Sequence, residues 1–247
     1  MKKIFIQNDD KWKNISRYHA GAADSLGELD QMLIDRISDG QVPDGNAVLS
    51  EYIKFGQAIR DVIENGLPNG SKNYPLSKYG CWDCSVAMIL NHFDVQIFEY
   101  GKDKKLKADP ATVNKALRSW QILSPSGYAY DLFNDPVSII SKGAMQLIMH
   151  EDYGEDGVKP HEANILNFVT NLKGNVGILV CVKGHAAFGK NESSHWMAID
   201  PEKLEVEGKF IACDPSHGKQ QSLNLYKKVY EVCVYAKSEN IKKIFNP

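Results

Sequence analysis

The chain has 247 residues, 43% of them hydrophobic, which is enough for one large core or two small ones. Its 29 Lys and Arg nearly balance 31 Asp and Glu, for a net charge of -2, so neither a nucleic-acid nor an anionic-membrane partner is indicated. No apolar run reaches the ~18 residues of a membrane span, and the apolar stretch after Lys2 and Lys3 is too short for a signal peptide. The expected location is the cytoplasm at synthesis, with work outside the cell requiring a non-classical route of export or release.

In chain order, residues 3–7 (KIFIQ) predict a short strand. Apolar residues at helical spacing predict a helix over 27–39, ended by Gly40 and Pro43, and a second from the cap Asn46 up to Gly66. Residues 66–80, rich in Gly, Pro, Asn and Ser, predict a loop. A helix follows over 82–92. Asp109 and Pro110 cap and open another that runs to Trp120. Residues 121–136 are turn-rich and aromatic, and 137–149 and 161–172 predict two more helices. Beyond Gly174 the pattern changes to strands: 176–182, 195–199, 209–213 and 230–235, separated by turn residues. Helices followed by meandering strands make an α+β class, in which the helix at 82–92 packs on a C-terminal antiparallel sheet.

Five cysteines occur, at 81, 84, 181, 213 and 233. An odd number in a chain of this length does not suggest a disulfide framework. Cys181, Cys213 and Cys233 lie in apolar strand-like runs and read as small buried hydrophobes. Cys81 is different, because Gly80 precedes it and the apolar run Ser85-Val86-Ala87-Met88-Ile89-Leu90 follows. A thiol at a helix start meets unpaired backbone N–H groups, which favour the thiolate, the form that attacks carbonyls. Cys84 lies one turn on and is the rival nucleophile. Asp83 works against a lowered thiol pKa unless its side chain points away.

His195 opens a strand after the polar turn Gly189–Ser194, a position suited to a general base. His185 is its nearest rival but reads as a loop residue, and His217 is expected to be exposed. Asp214 closes the next strand just before Pro215, where an antiparallel neighbour can bring its carboxylate to His195 and hold the imidazole tautomer. Asp200, five residues along the His195 strand, falls on the opposite face and roughly 16 Å away. The residues read as Cys81, His195, Asp214, with no metal or cofactor required. Cys81-x-x-Cys84 leaves two other readings open. A thiol–disulfide oxidoreductase pair would need a βαβ unit with parallel strands, and half a zinc site would need a second Cys or His pair.

Taken together, Gly80-Cys81 before an Ala-Met-rich apolar helix, His195-Trp196-Met197-Ala198-Ile199, and Asp214-Pro215 with Gly218 resemble the papain-clan cysteine peptidases of the bacteriocin-leader-processing type and their broader relatives. Those relatives place a Gln-x-Asp-x-x-Trp segment before the cysteine, and the chain has Gln7-Asn8-Asp9-Asp10-Lys11-Trp12. The resemblance implies a papain-like fold over 1–247, with a helical insertion at about 24–73. It also implies that Gln7 supplies an oxyanion-hole amide; from the residues alone Gln7 can also be read as a polar strand end. Trp82-Asp83 replaces the Gly-Pro that commonly follows the family's cysteine.

The activity so implied is hydrolysis of a peptide or isopeptide bond. The substrate would be peptidoglycan, as in phage and cell-wall-directed relatives, or a protein cleaved or deamidated by a bacterial effector or toxin. The alternative is a catalytically silent papain-like module that binds a protein partner through residues 24–73.

Overall fold

The computed structural model describes residues 1–15, 57, 76–120, 135–172, 174–185, 194–203 and 210–245. The predicted helix at 27–39, all of the predicted helix at 46–66 except Gln57, most of the 121–136 segment, the 189–194 turn except Ser194 and nearly all of the proposed 24–73 insertion lie outside the described residues.

The chain is α+β. Among the described residues its helices are α1 (Leu76–Tyr79), α2 (Cys81–His92), α3 (Pro110–Ser119), α4 (Pro136–Ile140), α5 (Asn164–Val169) and α6 (Ser238–Phe245). Its strands there are β1 (Gln96–Ile97), β2 (Leu106–Lys107), β3 (Met145–Asp152), β4 (Val176–His185), β5 (His195–Ile199), β6 (Ile211–Asp214), β7 (Lys219–Ser222) and β8 (Tyr226–Lys237). β1 and β2 pair alone. The others form a six-stranded sheet in the order β3-β8-β4-β5-β6-β7, with every neighbouring pair antiparallel. Among the described residues there is therefore no βαβ setting for a thioredoxin-like pair.

Four sequence expectations need correcting. Residues 3–7 form no strand. Among the described residues their backbone bonds are Gln7 N to Pro215 O at 2.8 Å and Asp9 N to Ile6 O at 3.1 Å, with no ladder. Leu76–Tyr79 is a helical turn inside the predicted loop. The helix predicted over 137–149 stops at Ile140, because Lys142 and Gly143 both take left-handed φ values (51° and 79°) and the chain then enters β3. Finally, the last strand does not extend the meander. β4 to β7 do meander, but β8 returns to the middle of the sheet between β3 and β4.

That return curls the sheet. Only Leu223–Leu225 joins β7 to β8, four strand positions away, and four spacings across a flat sheet would be about 19 Å. Three residues in a 3-10 turn rise only about 6 Å. The sheet therefore coils until its β7 edge meets the start of β8, and Gln221 Nε2 hydrogen-bonds Tyr226 Oη at 2.8 Å.

Both faces of the sheet are covered. On one, α2 and α3 pack with Phe5, Trp12, Leu179, Ala198, Cys213 and Tyr235. On the other, α5 packs with Ile178, Val180, Met197, Ile199 and Val234. The α2 helix is buried on nearly every side from Trp82 to Leu90, as its unbroken apolar run demands. It lies close on the sheet: a Cβ at Gly177 would overlap the Ile89 side chain. The Ser85 hydroxyl donates to the Trp196 carbonyl at 3.1 Å, tying α2 to β5. No helix among the described residues is long and apolar enough to cross a membrane.

Candidate active site

Cys81 is the first residue of α2, and its side chain is partly exposed, whereas Cys84 is fully buried in the core. Gly80 precedes it because there is no room for a side chain: a Cβ there would overlap the Leu76 carbonyl oxygen. The Cys81 thiol hydrogen-bonds the imidazole of His195, at the start of β5. The other partner of that ring is Asp214, at the end of β6, with His195 Nε2 2.8 Å from Asp214 Oδ1. With Nε2 held by the carboxylate, Nδ1 is the nitrogen left to face sulfur. The sequence-predicted Cys81, His195 and Asp214 are thus brought into one hydrogen-bonded chain.

Asp214 is wholly buried and richly solvated by the protein. Its Oδ1 also accepts from Ser216 N at 2.8 Å. Its Oδ2 accepts from His217 Nδ1 at 2.7 Å, from Gln221 Nε2 at 2.7 Å and from Tyr226 Oη at 3.3 Å. Burial by itself would raise this carboxyl, but the His195, His217 and Ser216 hydrogen bonds hold it well below the usual carboxylate range. The same pairing acts on His195. Burial pulls the imidazole down, while Asp214 and Cys81 together push it up to about 9. A ring protonated at neutral pH can donate from both nitrogens, one to the carboxylate and one to sulfur.

His217, Ser216, Gln221 and Tyr226 were not anticipated as partners of Asp214. His217, exposed as expected, carries a legible signal, since a turn that starts at Asp214 brings the third residue on back to the carboxylate. Gln221 and Tyr226 carry none, because the sheet's curl delivers them. Asp200 faces elsewhere: it receives the Met1 amino group and Gln220 Nε2. His185 stacks edge-on against Tyr226, with ring centroids 4.8 Å apart.

Gln7 is only 5% exposed, and its Oε1 has no hydrogen-bond partner among the described residues. Its segment is fixed at both ends. Lys11 N bonds Asp9 Oδ1 at 2.9 Å, which turns the chain, and Trp12 Nε1 then donates to Ile6 O at 2.8 Å. Ile6 packs where Gly218, at a left-handed φ of 64°, has no side chain. Further on, Ser77 N bonds Lys13 O and Leu76 N bonds Ile15 O, just ahead of Cys81. The N-terminal segment therefore joins the turn after Asp214 to the lead-in of the cysteine helix.

Cys84, Cys181 and Cys213 behave as buried hydrophobes, and Cys233 is buried beside Glu231 on β8. Burial pushes Cys181 up to about 12 and Cys213 up to about 11, and Cys233 higher still. No family model, no curated protein and no solved structure matches this chain.

Proposed function

We propose that the protein is a papain-like cysteine peptidase or amidase, with Cys81 as nucleophile, His195 as acid and base, Asp214 as the group that orients His195, and Gln7 as an oxyanion donor. The observation that carries this reading is the chain from the Cys81 thiol through His195 to the buried Asp214 carboxylate. In the resting pair the proton sits on His195 and the sulfur is a thiolate. The thiolate attacks a peptide, isopeptide or side-chain amide carbonyl. The developing oxyanion is met by the Cys81 N–H at the start of α2 and by the Gln7 amide. Imidazolium gives its proton to the leaving amine, and the neutral ring then takes a proton from the water that hydrolyses the thioester. A peptidoglycan stem peptide, or a protein substrate of an effector, are the substrates this reading favours.

The test is the rate at which iodoacetamide alkylates Cys81 at pH 6, followed by peptide mass mapping. Cys81 should react at least about tenfold faster than an ordinary thiol, and His195→Ala should abolish the advantage. A rate equal to that of an ordinary thiol overturns the reading. Gln7→Ala should slow acylation by on the order of 10²–10³ with the fold intact. A near-neutral result, read by stopped-flow acylation with a p-nitrophenyl ester, would remove Gln7 from the site.

A further inference from the structure

A second group of reactive side chains lies on the β3–β8 pair. His150 on β3 is directly opposite Cys233 on β8, and Glu231 is two residues from Cys233, on the same face. His150 Nε2 is 3.0 Å from Glu231 Oε1, and the Cys233 thiol is 3.7 Å from that same oxygen. One ligand atom from each residue falls within 4.8 Å of the others. Asp152 is paired across from Glu231, one row along. These groups play no part in the chemistry proposed for Cys81.

We propose that His150, Glu231 and Cys233 form a binding site for a divalent transition-metal cation of the zinc type, with a water or Asp152 at the fourth position. The donor set decides the metal. One imidazole nitrogen, one carboxylate oxygen and one thiolate sulfur suit zinc and its neighbours, whereas calcium and magnesium take oxygen ligands. Charge decides the stoichiometry: a thiolate and a carboxylate neutralise one dication. Tetrahedral bonds of about 2.0–2.3 Å place ligand atoms some 3.3–3.8 Å apart, so the His150–Glu231 pair at 3.0 Å must open slightly while the third side of the triangle, within 4.8 Å, is brought to that range, adjustments that small rotations of the exposed His150 and the half-buried Glu231 can supply. Two hydrogen-bonded strands fix the backbone of all three ligands.

Burial raises the Glu231 carboxyl and raises the Cys233 thiol well above its ordinary value. Binding therefore releases the Cys233 proton to solvent as sulfur bonds the metal.

The experiment uses the full chain carrying Cys81→Ala, so that the Cys81–His195 pair cannot supply the thiolate. After treatment with a chelator, the protein is titrated with Co²⁺, read by the near-ultraviolet thiolate-to-cobalt absorption, and with Zn²⁺ in competition with a chromophoric chelator. One equivalent should bind, with the cobalt–thiolate band present. Cys233→Ser should remove the band. His150→Ala, a surface change that leaves the fold intact, should weaken Zn²⁺ by at least 10–100-fold. Absence of the band, its persistence in Cys233→Ser, or unchanged Zn²⁺ affinity in His150→Ala would each overturn the proposal. None of these outcomes bears on the Cys81 reading.

Discussion

Cys81→Ala is expected to eliminate the acyl-enzyme burst with an activated ester and to lower turnover by on the order of 10³–10⁶, with the unfolding midpoint nearly unchanged. The size of the loss follows from covalent catalysis: with no sulfur, no thioester forms and only binding and the oxyanion donors remain. Stability is spared because Cys81 is a partly exposed first-turn residue that fills no core space. Cys84→Ala should behave in the opposite way. Cys84 is fully buried among core side chains, so its loss should lower the unfolding midpoint while the burst persists. Mass spectrometry of the acylated protein separates the two. A burst that survives in Cys81→Ala and vanishes in Cys84→Ala would reverse the assignment.

The second large effect is at Asp214. Asp214→Ala should cost about 3–5 kcal/mol in chemical denaturation, because it strips a buried charge from the donors gathered around it. Asp214→Asn keeps the shape and should lower acylation by on the order of 10³–10⁴, with His195 losing its fixed tautomer. The pH dependence has a definite sign. Asp214 is depressed in the fold, so its contribution is present above the ordinary carboxylate range and is lost as pH falls through the lowered value. His195 is raised to about 9, so its contribution is complete below about 6.5 and is lost as pH rises through 9. The acylation rate should fall on an alkaline limb near pH 9, and Asp214→Asn should move that limb downward. A limb that stays in place in Asp214→Asn would mean that the carboxylate does not hold the proton on His195.

Local signals were readable where one residue decides an element. Asp109 accepts from Thr112 N at 2.8 Å and Pro110 opens α3, as their order in the chain suggests. The buried run after Cys81 forms α2, and the β-branched run 176–182 lies within β4. Met145–Met149 was not readable, since a short apolar run without strict alternation fits helix and strand alike. The left-handed Lys142-Gly143 pair settles it, and Lys142 does not advertise such a φ. The candidate site was legible to the same degree. Cys81, His195 and Asp214 each stand at the end of an element, where a side chain can reach a neighbour. The donors from Gln221 and Tyr226 depend on how the sheet coils, a property of strand order that no local window contains.

The strand made last among those described, β8, is the one that sits between β3 and β4. A nascent chain can lay down Cys81, His195 and Asp214 in turn, yet it cannot close around them until residues 226–237 have left the ribosome. Tyr226, which begins that strand, also touches the Asp214 carboxylate. Topology alone thus makes the Cys81–His195–Asp214 arrangement wait for residues 226–237, although all three of its members are made earlier.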